Sequence, residues 1–457
     1  MNRQGMGMSL GRREFVGAAM GATLVGGSMM AGVAGGAQAS NQPAPDNVVT
    51  ALNPNDWASV RAQFNLAPEF VHISNFFLAS NPRPVREAMA RHRQAFDENP
   101  YTYLEDNMFA SPQDMVWRKV CTAAADYTGG RAEDIALTTS TTQGLSMVYN
   151  GLKLAPHQEI LTTNHEWYTH DEAMRLAVVK WGGSIRRIDL YQGPDDVSVD
   201  AIVARIEKAI KPHTRILAMT WVHSGTGVRL PAREIGELVA RVNRDRAEAD
   251  RIIYVIDGVH GFGCSEAQVA SLGCDFFSAG THKWILGPHG TGLVWAREGQ
   301  WAHITPTIPT IMAAEPANAW REQRDPQGQT QAAWVSPGGF LAFENQWAMI
   351  EAFKFIQQIG RKRIADRIAE LNGQLKEGLA KLPNVYLHTP RSAQFSAGFV
   401  CCDVKDRSPK EIVARLKEQK IIASATPYRH STVRFSAGII NSPEDIEKTL
   451  KVMRTLV

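Results

Sequence analysis

Between Asp134 and Gly280 the chain repeatedly sets a short apolar, β-branched run against a stretch of helical spacing, and this alternation restricts its possible folds more than any other feature. "DIALTTS" leads into "TTQGLSMVYNGL" and "EILTTN" into "HDEAMRLAVVKW"; "RILAMTWV" and "RIIYVID" are further runs of the strand type. Near-continuous apolar strands belong to a sheet covered on both faces, which predicts the α/β class with a mostly parallel central sheet. In such sheets ligands bind outside the carboxyl ends of the strands, and here those ends carry small polar residues and glycine.

From about Gln331 the pattern changes. "FENQWAMIEAFKFIQQIGRKRIADRIAELNGQLKEGLAKL", residues 343–382, has apolar residues at helical spacing with charges between them, which predicts long helices. "AGFVCCDV", the helix "SPKEIVARLKEQKI", the strand "TVRFSAG" and a closing helix after Ser442 and Pro443 predict a smaller α+β unit at the C-terminus.

With 457 residues, 44% hydrophobic and 21% charged, the chain has material for a large core. Its formal charge is +3, of which Arg3, Arg12, Arg13 and Glu14 supply +2. The remaining +1 offers no footprint for nucleic acid. Residues 1–39 read as an address: paired Arg12 and Arg13, a weakly apolar Gly/Ala-rich stretch, then "AQA" as small residues for cleavage. This resembles a twin-arginine export signal, predicting a periplasmic protein without a permanent membrane anchor. That route carries proteins already folded, which suits one that loads a cofactor first. The five cysteines, Cys121, Cys264, Cys274, Cys401 and Cys402, form no C-x-x-C pair, and an adjacent pair bridges poorly, so buried free thiols are expected.

The segment "SAGTHKWILGPHGTG" sets Lys283 between His282 and Trp284 just after the apolar run "CDFFSAG". A lysine there emerges at the rim of the sheet, and Gly287, Gly290 and Gly292 are expected to let backbone approach a ligand. "YVIDGVHGFG" ends another apolar run with Asp257, an acid that would be costly at a buried strand end unless it met a positive partner. "TTSTTQG" ends a strand and opens a helix, so its hydroxyls, backbone N–H groups and helix dipole suit a phosphate. An amine, a carboxylate and a phosphate cup are together what pyridoxal 5'-phosphate (PLP) requires. The 13 histidines do not suggest a catalytic zinc: His165 with His170, and His282 with His289, match no ligand-pair spacing.

"DGVHGFG" followed by "THKWILGPHGTG", with "TTSTTQG" upstream and "VRFSAGIINSPEDI" near the end, resembles the class V aminotransferases among the fold-type I PLP-dependent enzymes, from about His72 onward. The similarity is greatest to the isopenicillin N epimerase-like branch, and with its leader the chain is also similar to periplasmic members that tailor siderophores such as pyoverdine. The resemblance implies a segment 40–94 joining the small domain and the active site, a large PLP-binding domain at 95–330, a small domain at 331–457, and a homodimer. It makes Lys283 the Schiff-base lysine, Asp257 the partner of the pyridine nitrogen and His260 that of the ring hydroxyl. Thr141, Thr142 and Gln143, helped by His282, would hold the phosphate. His165 matches the residue that stacks on the ring, with Trp167 and Tyr168 as alternatives. Arg434 would grip the substrate carboxylate, and Asn75, Phe76 and Phe77 would line the substrate pocket; His223 and Ser224 stand at another strand end. The sequence departs from the family at the cross-subunit phosphate contact, where a threonine is usual and "WVSPGGF" offers Ser336 and glycines.

The implied activity is proton chemistry at the α-carbon of an amino acid or peptide-linked amine, of the aminotransferase or epimerase type. The desulfurases of the family need a cysteine in the loop before the carboxylate-binding arginine, and "KIIASATPYRHST" has none. A catalytically idle, exported PLP-binding protein is the competing class; intact Lys283 and Asp257 speak against it.

Overall fold

The computed structural model describes residues 51–111 and 113–457, so the leader expected at 1–39 lies outside the described residues. The central sheet has seven strands: β1 (Ile135–Thr138), β2 (Glu159–Thr163), β3 (Ser184–Ile188), β4 (Thr214–Thr220), β5 (Ile253–Asp257), β6 (Phe276–Gly280) and β7 (Gly292–Ala296). Their order is β1-β7-β6-β5-β4-β2-β3. Every neighbouring pair is parallel except those made by β7, which runs against both β1 and β6. The mostly parallel α/β architecture expected from the sequence is therefore present.

The apolar runs explain why this sheet is covered on both faces. Along β5, Tyr254 and Ile256 join one core cluster while Ile253 and Val255 join another, and Phe276 and Phe277 divide in the same way on β6. Successive side chains of a strand point to opposite faces, so an unbroken apolar run buries both, each large side chain contributing ~1.5–3 kcal/mol.

The helices that matter for the site are α1 (Arg83–Glu98), α2 (Val116–Thr128), α3 (Thr141–Gly151), α4 (Tyr168–Trp181), α5 (Phe343–Ile359), α6 (Arg361–Leu379) and α7 (Pro443–Leu456). The long periodic stretch after residue 343 is two helices, broken at Gly360, whose φ of 94° an L side chain rarely adopts. The buried face of α5 lies in the same cluster as Val85 of α1 and Val120 of α2. Helix α7 begins as its sequence requires: the Ser442 hydroxyl accepts from the Asp445 N–H, and the Asp445 carboxylate accepts from the Ser442 N–H.

A second sheet, fully antiparallel, holds β8 (Val385–Leu387), β9 (Val400–Val404), β10 (Ser424–Ala425) and β11 (Val433–Phe435) in the order β10-β11-β9-β8. The early segment Val71–His72 pairs in parallel with Ile421–Ile422 beside it. No helix among the described residues is long and apolar enough to cross a membrane.

Candidate active site

The carboxyl ends of β4, β5 and β6 deliver Thr220, Asp257 and the "THK" turn to one cavity of about 340 Å3. Its wall also includes Thr141 and Thr142 at the start of α3, and Trp167 and Thr169 at the start of α4. Phe76 and Phe77 come from the N-terminal segment, and Tyr428 and Arg434 from the C-terminal sheet. Thr220 and Asp257 stand opposite each other in the register of β4 and β5.

Lys283 follows β6 in a turn that is pinned on several sides. The Leu286 N–H donates to the Lys283 carbonyl, and the Asn81 amide donates to the carbonyls of Leu286 and Gly287 at 3.0 and 2.9 Å. Leu286 has φ 61°, a strained value for a branched side chain, held by those bonds and by burial of the side chain. The expectation that Gly287, Gly290 and Gly292 admit a ligand is not met. A Cβ at Gly287 would lie 2.6 Å from Thr281 Oγ1, one at Gly292 would lie 2.9 Å from Thr138 Oγ1, and Gly290 has nothing within 4 Å. Gly287 serves the packing of the turn itself, and Gly292 the close pairing of β7 with Thr138 on β1.

Burial brings the Lys283 amine down to about 8; Asp257 opposes that shift, and Arg434 adds to it. Its Nζ lies 3.4 Å from Nε2 of His260. Burial pushes the Asp257 carboxyl up, against the opposing pull of His170, the Val259 N–H at 3.1 Å and Lys283. His260 is driven well down by burial and by its cationic neighbours, and His282 to about 4 by burial and Lys283, so both imidazoles are neutral at pH 7.

Whether PLP fits can be read from groups that need a partner. His260 Nδ1 and His282 Nδ1 are buried with no hydrogen-bond partner in the structure. Asp257 is a buried acid without a paired cation, and the first turn of α3 presents the N–H groups of Thr141 and Thr142, which no helix can satisfy internally. Facing that turn, Gly280 donates its N–H to Thr141 Oγ1 at 2.7 Å, and a Cβ at Gly280 would stand 2.6 Å from the His282 ring. Anion donors, an amine and a carboxylate thus converge in one cavity, and the residues fit the cofactor.

Some expected residues stand elsewhere. Gln143 does not line the cavity: its Oε1 accepts from the N–H and hydroxyl of Thr139, and its N–H donates to Ser140 Oγ, so it shapes the loop before α3. His165 is also outside the wall, with its ring stacked 4.1 Å from Tyr191 and 5.0 Å from His223; Trp167, one of the two alternatives, lines the cavity. His223 stays behind Ser224, which does line it. Asn75 spends its amide on the Ser436 carbonyl at 3.0 Å and Asn441 Oδ1 at 2.8 Å, leaving Phe76 and Phe77 as the lining residues of that segment. Ser336 accepts from the Leu137 N–H and donates to the Ala332 carbonyl, so its hydroxyl is already engaged.

Arg434 is 5% exposed, and among its hydrogen bonds there is no acid: Nη1 donates to the Ser224 carbonyl at 2.8 Å and Nε to Ser424 Oγ at 3.2 Å. Its guanidinium carbon lies 3.9 Å from the centre of the Phe76 ring.

Sequence reasoning missed the buried set behind Thr220. Glu166 accepts from the hydroxyls of Thr163 and Thr220 and lies 2.8 Å from His170 Nδ1, while His170 Nε2 is 2.7 Å from the Tyr149 hydroxyl. Burial works against the charge on both partners, yet each holds the other ionised: Glu166 is kept below its ordinary range and His170 above its own. The i,i+4 spacing of an acid and a histidine at a helix start was the available signal. Tyr428 was missed as well; its hydroxyl is 2.6 Å from Ser224 Oγ in the cavity wall.

The family model "Aminotransferase class-V" matches residues 116–449. An isopenicillin N epimerase of Streptomyces clavuligerus is 25% identical over 88% of this chain and 98% of its own length. A probable cysteine desulfurase of Pyrococcus abyssi is also 25% identical, over 87% of this chain and 97% of its own. Among solved structures, a C-DES mutant with glycine covalently linked to its PLP cofactor superposes with a TM-score of 0.74 at 21% identity, covering 86% of this chain and 98% of that one. The apo cysteine desulfurase of Thermococcus onnurineus gives 0.73 at 22% identity, covering 88% and 98%.

Proposed function

The chain belongs to the aminotransferase class-V family of PLP-dependent enzymes, and from that premise we propose that it moves a proton at the α-carbon of an amino acid or peptide-linked amine, as an epimerase or aminotransferase. The observation that carries this reading is that Lys283, Asp257 and an acid-free Arg434 share one cavity.

When bound, PLP supplies an aldehyde for amines and a sink for the electrons of bonds at the amine-bearing carbon. The chain's residues supply the rest. Lys283, lowered to about 8, keeps a usable fraction of free amine near neutral pH, and it is the side chain that would hold the aldehyde and, as a free amine, accept the α-proton. Asp257 would face the cationic ring nitrogen, Thr141, Thr142 and His282 would hold the phosphate, and His260 would meet the ring hydroxyl. Arg434 takes the substrate carboxylate, because a buried guanidinium with a free donor edge binds that planar anion in two parallel hydrogen bonds. The aromatic side chains of Phe76, Trp167 and Tyr428 in the cavity wall would limit the access of water to the reacting carbon.

Desulfuration is not part of the proposal. All five cysteines are buried, and burial pushes their thiols up, Cys401 to about 11 and Cys264 to about 12, so none is poised as a thiolate nucleophile. Export by the twin-arginine route to the periplasm is part of it, on the strength of Arg12, Arg13 and the stretch that follows. So is a homodimer: Tyr101, Phe109, Trp320 and Phe340 are exposed large apolar side chains of the kind a subunit interface covers.

The test is proton exchange. The purified holoprotein, incubated in heavy water with a panel of amino acids and amine-terminated peptides, should exchange the α-proton of at least one of them, and Lys283→Ala should not. Inversion of configuration or release of the keto acid then names the type. Absence of exchange across the panel would overturn the reading.

A further inference from the structure

The second sheet carries a cluster that the proposed chemistry does not use. Asp403 on β9 is paired with Tyr386 of β8, so His388, two residues further along, is its diagonal neighbour on the same face. The turn between β10 and β11 is closed by the Thr426 N–H on the Thr432 carbonyl, and it brings His430 over the same carboxylate. Nε2 of His388 and Nε2 of His430 stand 2.7 and 2.8 Å from one oxygen, Asp403 Oδ2. All three atoms lie within 4.8 Å of one another, and His430 remains open to solvent.

Two histidines from separate segments thus present the same ring nitrogen to a single carboxylate oxygen. Two imidazole nitrogens and one carboxylate, with an open side for water, are a donor set suited to a divalent transition metal, which holds such atoms at about 2.0–2.2 Å in a tetrahedron. Hydrogen bonding alone would use both imidazoles as donors to the acid. An ion would instead take the two nitrogen lone pairs and move each ring proton to Nδ1.

We propose that His388, Asp403 and His430 bind one Zn2+ ion, with water as the fourth ligand, and that this ion ties the Thr426–Thr432 turn to the sheet. The consequence reaches the cavity, because the same turn carries Pro427 and Tyr428 into its wall. The ion is a structural clamp on one side of the substrate cavity and takes no part in the proton transfer.

Titration of the tag-free holoprotein with Zn2+ against a chromophoric chelator tests this directly. Wild type should bind one equivalent, and His388→Gln, His430→Gln and Asp403→Asn should each weaken it by at least about tenfold. His157→Gln, at an exposed histidine outside the cluster, should leave it unchanged. His430→Gln is the decisive variant, since that side chain is 69% exposed and its loss leaves the fold intact, as an unaltered visible cofactor absorbance would verify. Zn2+ should also raise the melting temperature of wild type and not of His430→Gln. No stoichiometric ion in wild type, or equal binding by wild type, His430→Gln and Asp403→Asn, would overturn the site and leave a plain hydrogen-bonded cluster.

Discussion

The ε-amine of Lys283 lies 3.4 Å from Nε2 of His260, and the other nitrogen of that imidazole is buried without a partner. Burial keeps the amine partly neutral, beside a neutral ring whose second nitrogen has a hydrogen bond to make.

That state of the amine sets a pH dependence. Lys283 is lowered, so its reactive, unprotonated form grows as pH rises toward about 8 and saturates above it. The rate at which apoprotein captures PLP should therefore climb roughly tenfold per pH unit below that value and level off beyond it. Asp257→Asn removes the charge that holds the amine up and should move the midpoint lower. Stopped-flow absorbance checks both; a midpoint near that of a free lysine would contradict the burial argument.

Arg434 should act on substrate rather than on cofactor. Arg434→Lys keeps a positive charge but loses the two-pronged geometry, so kcat/KM should fall about 10–100-fold, equivalent to ~1.5–3 kcal/mol, chiefly through KM. Cofactor absorbance should be unchanged. Steady-state kinetics with the substrate found by proton exchange, alongside its decarboxylated amine, provide the check: the variant should narrow the preference for the acid.

Glu166→Gln should cost stability. It leaves His170 buried beside a neutral amide, and the loss should be about 2–3 kcal/mol, below the ~3–5 kcal/mol of a broken buried ion pair because His170 can shed its proton. Urea unfolding monitored by tryptophan fluorescence measures it, and an unchanged midpoint would show the pair to be energetically idle.

Trp167 and His165 differ in position, and they should differ in effect. Trp167 lines the cavity while His165 packs on Tyr191, so Trp167→Ala should shift the visible cofactor spectrum and speed PLP release. His165→Ala should act mainly on thermal stability. The reverse pattern would return the stacking role to His165.

The sequence discloses the fold well because its strands are buried on both faces, and unbroken runs such as "RIIYVID" have few alternatives. It discloses the edge strand β3 poorly, since Ser184–Ile188 is half exposed and carries Arg186 and Arg187. Within the site, Lys283, Asp257 and Thr141 were legible because a strand end or a helix start fixes where each side chain emerges. His165, Asn75 and Gln143 were misplaced because chain position does not show which neighbour consumes a side chain. Asn75 is spent on Asn441, 366 residues away, and no local spacing records that bond. His388, Asp403 and His430, 15 and 27 positions apart, went unread as a cluster because strand pairing and a turn bring them together rather than any ligand-type spacing.

Reduction of the yellow holoprotein with borohydride, followed by peptide mass mapping, identifies the lysine that captures the cofactor. The chain offers a fair competitor in Lys376, also buried and also lowered to about 8, whose ammonium is already satisfied by the carbonyls of Pro390 and Arg391 and the Ser396 hydroxyl. The pyridoxyl mass should fall on the peptide bearing Lys283 and be lost in Lys283→Ala. A label on Lys376, or a protein that reduction leaves unmodified, would contradict it.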